Sequence, residues 1–375
     1  MMNRKRKARI ANLIGKIFII LLFLVMIINV IVPDREESEL ENRALEQRPR
    51  FNLTTILSGD FMEQWEKYLS DQFAGRDTWR SLKVSLDRLG GARKENDIYI
   101  GKDGQLMEDI EVPDDGRLEA NLTAIRDFAE TYEDIPVTMM LVPDAACILN
   151  DSLPAFARVE DQRQMFSMAE RKLGDTVNWV DTVSILNNHK SEKLYYKTDH
   201  HWTTQGAFYV FQDAAETLGI EGDVSDDFVS YTVTDSFNGV LAASSGVGLD
   251  EMEQIDIYAP TGGDDDVVVN YVDEGRKTTS LYDSSKLETR DKYGVFLGGN
   301  TSVVDIRTVS TSQKRLLVVK DSFADCFIPF LAPYYREIVV VDPRYYSGTM
   351  QDIMDSYRIT DALILYSGNT FFYRQ

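Results

Sequence analysis

Histidine is scarce in this 375-residue chain, with three in all, and two of them are adjacent in the run Thr198-Asp199-His200-His201-Trp202. The pairing is informative because imidazole is the side chain that moves protons near neutral pH. Read as an extended segment, Thr198–Trp202 sends Asp199 and His201 to one side and His200 to the other. A carboxylate beside an imidazole fixes its tautomer and stabilises the imidazolium, which is what a general base acting on a hydroxyl needs. The hydroxyl is offered by Ser322, where the apolar run LLVV ends in Lys320-Asp321-Ser322-Phe323 before a helical pattern. A serine at such a turn stands at the carboxyl edge of a parallel sheet, and the N–H groups that open the next helix can hold an oxyanion. A plain helix cap is the competing reading of Ser322. Taken together, Ser322, His201 and Asp199 make a complete nucleophilic set. A metal reading would use Asp199, His200 and His201 as ligands. Alternation parts the two histidines and no second His/Cys/Glu cluster accompanies them, so neither a metal nor a cofactor is expected.

These residues need a frame, and the hydropathy pattern supplies one. Apolar runs at 136–142, 177–180, 315–319, 337–341 and 361–366 alternate with helical patterns at 116–132, 160–173, 323–332 and 349–356, which predicts an α/β fold with a parallel sheet. Two of the later strands also end in polar residues at the same edge: Asp342-Pro343-Arg344-Tyr345 and Ser367-Gly368-Asn369. Asn369 is placed to donate an amide N–H to a developing oxyanion, with the Ser322 N–H as a second donor. Gly298-Gly299-Asn300 reads as a tight bend or a turn touching substrate. Between them, 228–310 carries short β-type runs separated by Gly/Asp turns, read as a small antiparallel β-rich insert or subdomain. Residues 54–89 carry Phe61, Trp65, Tyr68, Leu69 and Phe73, then Trp79, Leu82, Leu86 and Leu89, at the spacing of two amphipathic helices; such stripes are normally core.

The chain begins with a basic cluster, RKRKAR, followed by the uncharged run 17–32. No small-x-small cleavage site follows, so the segment reads as an uncleaved anchor spanning about residues 10–32 rather than a cleaved leader. All six Lys/Arg of residues 1–33 precede or enter the span and no acid accompanies them. The asymmetry places the start in the cytoplasm and everything after Pro33 outside it, in a single-pass arrangement in the cytoplasmic membrane. Residues 34–375 hold 34 Lys and Arg against 61 Asp and Glu, a net −27, which argues against nucleic acid as a partner. Cys147 and Cys326 are too few for a disulfide framework and read as two buried thiols rather than one bridge. The organisation expected is a basic stub and anchor over 1–33, an extended arm and helical segment over 34–90, and a catalytic domain over 91–375 with its β-rich insert at about 228–310.

Thr198–Trp202 resembles the motif that names the DHHW proteins, which are similar to the SGNH-hydrolase-like alginate O-acetyltransferase group. Further matches are Ser38–Leu45, Trp65 with Asp71-Gln72-Phe73 and Arg76, Ile98–Leu106, Gly298–Asn300, Lys320–Phe323 and Asp342–Tyr345. The resemblance implies an extracytoplasmic SGNH-hydrolase-like α/β/α sandwich in which Ser322 is the nucleophile, His201 its base and Asp199 the orienter. It also implies transfer of acetyl groups to hydroxyls of a cell-surface polysaccharide, with a membrane-bound O-acyltransferase partner delivering the acyl group. Trp202 and Tyr345 would then suit stacking on sugar rings, and Asn369, Arg344 and Asn300 contact with substrate. Lys320-Asp321 departs from the Gly-Asp of SGNH esterases, and no carbohydrate-binding module follows the catalytic region. An acetyl esterase with the same triad, or a non-catalytic envelope assembly or polysaccharide-binding protein, are the competing functions.

Overall fold

The computed structural model describes residues 4–38, 43–113, 115–247, 252–262 and 266–373. The chain forms two compact units, Met1–Gly91 with Gly246–Gly248, and Ala92–Ser245 with Leu249–Gln375.

In the first unit, helix α1 (Arg4–Ile31) contains Asn12–Ile31, a stretch of mean hydropathy 2.8 that is long and apolar enough to cross a membrane. Helices α2 (Asp60–Asp71) and α3 (Arg76–Leu89) follow, separated by a turn at Gly75, whose φ of +69° lies in the left-handed region. The expectation that their apolar stripe is core holds only in part. Phe61, Trp65 and Tyr68 are half-buried and pack ring against ring, with centroids 5.9 and 5.4 Å apart. Leu69, Phe73, Trp79, Leu82, Leu86 and Leu89 are exposed. Periodicity reports that a helix has an apolar face, not what covers it.

The second unit opens with a hairpin, β1 (Ile98–Ile100) and β2 (Leu106–Glu108), followed by α4 (Asp115–Thr131), β3 (Val137–Val142), α5 (Gln162–Leu173), β4 (Asn178–Trp179) and α6 (Thr204–Ala214). Strands β5 (Phe228–Phe237) and β6 (Glu253–Pro260) form a separate two-stranded ribbon. Then come β7 (Val267–Tyr271), β8 (Arg276–Thr278), β9 (Val303–Thr308), β10 (Arg315–Lys320), β11 (Glu337–Val341), α7 (Met350–Ser356), β12 (Asp361–Ser367) and α8 (Gly368–Tyr373).

Among the described residues the central sheet has eight strands, in the order β8-β7-β9-β11-β10-β12-β3-β4. The five from β11 to β4 are parallel, and β9, β7 and β8 continue the β11 edge antiparallel. Every residue of β3 and β11 is buried, as expected of strands covered on both faces. The second half of the 228–310 segment is therefore no subdomain: β7 and β9 belong to the main sheet, and among the described residues only β5 and β6 stand apart. Val303–Asp305 and Ile306 of β9 are all buried because they pair with the interior strand β11. The predicted helix 323–332 is also broken, into a 3-10 turn at Ser322–Ala324 and a short helix at Ile328–Leu331.

Topology selects one edge of this sheet. The chain leaves β10 toward β11 and leaves β3 toward β4, in opposite directions across β12. In open α/β sheets that divergence opens a crevice at the carboxyl ends of the strands.

Candidate active site

Thr198–Trp202 is not extended. Tyr195 and Trp202 pair across an isolated antiparallel bridge, and the residues between them fold into a closed loop, with Tyr196 N–H donating to the His201 carbonyl at 3.3 Å. Thr203 then caps α6, its hydroxyl accepting from Gly206 N–H at 3.2 Å. Within the loop Asp199 turns on itself: Oδ1 accepts from the His201 backbone N–H at 3.0 Å and lies 2.6 Å from His201 Nδ1. The Asp–His pair thus forms by an aspartate turn rather than by strand alternation. For the same reason His200 does not point away. Its ring lies 4.0 Å from that of His201, and its Nδ1 is 3.5 Å from Asp199 Oδ1, buried and without a hydrogen bond.

Ser322 meets this loop from the end of β10. Its Oγ lies 2.8 Å from His201 Nε2. The cap of the following turn is Asp321, not Ser322: Asp321 Oδ1 accepts from Phe323 N–H at 2.9 Å, while its Oδ2 accepts from the N–H and hydroxyl of Ser367, each at 2.9 Å. One carboxylate thereby ties the ends of β10 and β12 together and leaves the serine hydroxyl to the histidine. Trp202 closes the other side, its indole N–H donating to the Phe323 carbonyl at 2.9 Å.

The electrostatics are consistent with a resting base. Burial disfavours the Asp199 carboxylate, but the two imidazoles, the His201 hydrogen bond and the Val240 N–H at 2.9 Å outweigh it, so Asp199 is held well below the usual carboxylate range. Burial first, and then the neighbouring His200, push His201 below its ordinary value. Asp199 is thus ionised and His201 neutral near pH 7. His201 Nδ1 then donates to Asp199, which leaves Nε2 to accept the Ser322 hydroxyl proton.

Lys320, the departure from the SGNH pattern, is buried in β10 with Nζ 2.5 Å from Asp325 and 3.8 Å from Asp342. Burial pushes Asp325 up to about 6 even beside that ammonium. Arg344 grips Asp342 with two donors, Nε at 2.9 Å and Nη2 at 2.6 Å, and its Nη2 also reaches Asn300 Oδ1 at 3.4 Å. Arg344 and the exposed Asn300 and Tyr345 therefore share one rim. Gly298 and Gly299 bend there with φ of +72° and +92°, a conformation glycine adopts without strain. Asn369 is committed elsewhere: its amide donates to the Asp109 carbonyl at 3.0 Å and its backbone N–H to Asp144 at 2.8 Å. An oxyanion would have to compete for that amide. Trp202, expected as a stacking platform, is wholly buried and stacks on Phe327. Cys147 and Cys326 are buried free thiols.

Three residues of the site escape a reading of the sequence. Glu253, at the start of β6, accepts from the backbone N–H groups of Lys197 and Thr198 at 2.9 and 2.8 Å and from the Thr198 hydroxyl at 2.6 Å. Gly239 donates its N–H to that hydroxyl at 3.0 Å, and a Cβ on it would fall 2.3 Å from the Cβ of Asp199. Tyr293 stacks on His201 with centroids 3.8 Å apart and planes 9° from parallel. All three come from the stretch between α6 and β9, where no motif marks them. Donor atoms of Asp199, His200 and His201 lie within 4.8 Å of one another. A cation held there by all three would displace the hydrogen bonds that now occupy Asp199 and His201.

A model of the DHHW protein family matches residues 127–341. No curated protein matches the chain. Among solved structures it is similar to a DHHW family protein from Eubacterium siraeum, at 22% identity and a TM-score of 0.62, covering 73% of this chain and 95% of that one. It is also similar to Bacillus cereus PatB1, at 20% identity and a TM-score of 0.63, covering 73% of this chain and 97% of that one. A second PatB1 structure, with a sulfonyl adduct, matches equally well, over 74% and 97%. At these identities the likeness is one of fold.

Proposed function

The chain belongs to the DHHW family, and on that footing we propose that it is a membrane-anchored, extracytoplasmic O-acetyltransferase with an SGNH-like Ser-His-Asp triad, modifying a cell-surface polysaccharide. The observation that carries the proposal is the unbroken hydrogen-bonded chain from Ser322 Oγ through His201 to Asp199 at the crevice edge of the sheet. Ser322 Oγ attacks the acetyl carbonyl of the donor ester while His201 Nε2 takes its proton. Collapse of the tetrahedral intermediate expels the donor oxygen, which leaves with that proton, and acetyl remains as an ester of Ser322. An acceptor hydroxyl then attacks the acetyl carbon and gives its proton to His201, and Ser322 departs re-protonated. The Ser322 backbone N–H is the first candidate donor to the oxyanion. The apolar helix Asn12–Ile31 after a basic start supports an anchor with this chemistry outside the cytoplasm, and the donor partner in this reading is an integral O-acyltransferase that supplies the acyl group. Resemblance to the alginate O-acetyltransferase group supports both the donor partner and the polysaccharide acceptor.

The test uses the purified full chain and Ser322→Ala with an activated acetyl ester, following leaving-group release and intact mass. A burst and an acetylated species, both lost in Ser322→Ala, are expected. PatB1 with its sulfonyl adduct suggests a sulfonyl fluoride as an independent probe of Ser322. Added oligosaccharide that takes the acetyl group distinguishes transfer from hydrolysis. Equal behaviour of the two folded proteins would remove Ser322 from the chemistry.

A further inference from the structure

Helix α3 is amphipathic twice over. At about 100° per residue, Trp79, Leu82, Leu86 and Leu89 fall within an arc of about 80°, and Val84 lies diametrically opposite. Val84 is buried, whereas the four stripe residues are 58%, 46%, 57% and 86% exposed. The helix therefore uses its narrow Val84 side for packing and presents its larger apolar side outward. Leu69 and Phe73, just before it, are exposed as well.

Hydrogen bonds within the same unit fix the level of this helix. Asn29, inside the apolar run that ends at Val32, accepts from Ala74 N–H at 2.8 Å through its Oδ1. Arg35 N–H donates to Gln72 Oε1 at 2.8 Å, and Gln72 returns a bond to the Arg35 carbonyl at 2.9 Å. Arg35 also pairs with Asp77 at 2.7 Å, in the first turn of α3. Asn29 lies about 4.5 Å below the end of the run at 1.5 Å per residue, so the turn before α3 is held at the boundary of the hydrocarbon.

Charge selects the occupant. Residues 34–375 carry a net −27, yet α3 holds Arg76, Arg80, Lys83 and Arg88 against Asp77 and Asp87. A cationic helix with a Trp/Leu face is the composition that seats in a headgroup layer, especially an anionic one.

We propose that α3 lies along the outer surface of the bilayer beside the anchor, with Trp79, Leu82, Leu86 and Leu89 in the headgroup-acyl boundary. This rests on α1 being the membrane anchor and is independent of the acetyl-transfer chemistry. The helix would hold the unit flat on the membrane at a second point, so that the anchor is not a lone swivel.

The test reconstitutes the full chain into vesicles of phosphatidylcholine and phosphatidylglycerol, with and without lipid brominated near the headgroup end of the acyl chain. The Trp79 contribution is the difference between the natural protein and Trp79→Phe. Loss of most of that emission to bromine, with a blue-shifted maximum, is expected. A second protein carrying Trp79→Phe with Leu89→Trp reads the far end of the stripe and is expected to be quenched as well. Water-like, unquenched emission at position 79 would overturn the proposal, as would quenching at 79 without quenching at 89, which would mean that the helix rises from the surface. A shielded but unquenched Trp79 would mean that protein, a second copy included, covers the face, and would overturn it too. Carbonate-resistant sedimentation with the vesicles reports the anchor alone, so failure of the anchor and failure of the interfacial helix are distinguishable.

Discussion

Glu253→Gln is the sharpest probe of how the loop is held. The Glu253 carboxylate takes three hydrogen bonds from Lys197 and Thr198, and Lys193 Nζ stands 3.1 Å from the same group. Glutamine keeps one acceptor oxygen and turns the other position into a donor, facing either Lys197 N–H and the Lys193 ammonium or the Thr198 N–H and hydroxyl. Losing charge-assisted bonds at a buried site costs about 1.5–3 kcal/mol. The displaced group is Thr198, whose hydroxyl also accepts from Gly239 N–H and whose neighbour is Asp199. A shift of about 1 Å in the proposed catalytic pair costs on the order of 10²-fold in rate. The expected result is a folded protein, destabilised by about 2 kcal/mol in urea unfolding, with kcat reduced about 10- to 100-fold. Loosening the loop also admits water to His201, whose pKa burial now lowers, so the acid limb of the rate profile should move to higher pH. The measurement is the pH profile of acetyl-ester turnover for both proteins, beside their unfolding curves. A folded Glu253→Gln protein with unchanged kcat and acid limb would refute the reasoning. Lower stability with an unchanged acid limb would reduce Glu253 to a purely structural role.

Three further expectations follow from the same geometry. Gly239→Ala places a Cβ 2.5 Å from Asp199 Oδ2, so the carboxylate must move; kcat should fall by on the order of 10²-fold while KM and the circular dichroism spectrum stay near natural, and unaltered turnover would show that the loop yields freely. In the natural protein His201 must be neutral to act, and its lowered pKa keeps it neutral further into acid than an ordinary imidazole, so activity should persist into mildly acid solution and fall only as pH drops through that lowered value. Replacing the His200 imidazole with His200→Asn should move this acid limb upward, though only partly, because burial is the larger cause; a limb that stays in place would show that His200 does not act on His201.

How much of this was legible beforehand varies with the range of the interaction. The Ser322, His201 and Asp199 set was readable because each role demands a residue type and histidine is rare in the chain. The strands of the parallel sheet were readable from runs such as EIVVV and DALILY, since burial on both faces demands continuous apolar residues. The local path of the loop was not readable. Alternation predicted the right Asp–His pair for the wrong reason, since the aspartate turn that forms it depends on the Tyr195–Trp202 bridge and on Val240 binding Asp199 from 41 residues away. Trp202 was misplaced for a related reason, since an aromatic residue in a motif can serve ligand or core and only the Phe323 carbonyl and Phe327 ring beside it decide.

By itself, then, the sequence determined the chemistry available, the α/β frame, the apolar segment at the start and the charge of the body, because composition and period are properties of single segments. Only the tertiary structure decided that β7 and β9 extend the main sheet, that Asp321 caps the turn and leaves Ser322 to His201, and that Glu253, Gly239 and Tyr293 hold the loop. Apart from the Asp321 cap, which reaches only to Phe323, those are pairings between residues tens to more than a hundred positions apart. Backbone donors, hydrogen atoms in place of a Cβ and the faces of buried rings leave no pattern along the chain, so such contacts exist only once the chain has folded around them.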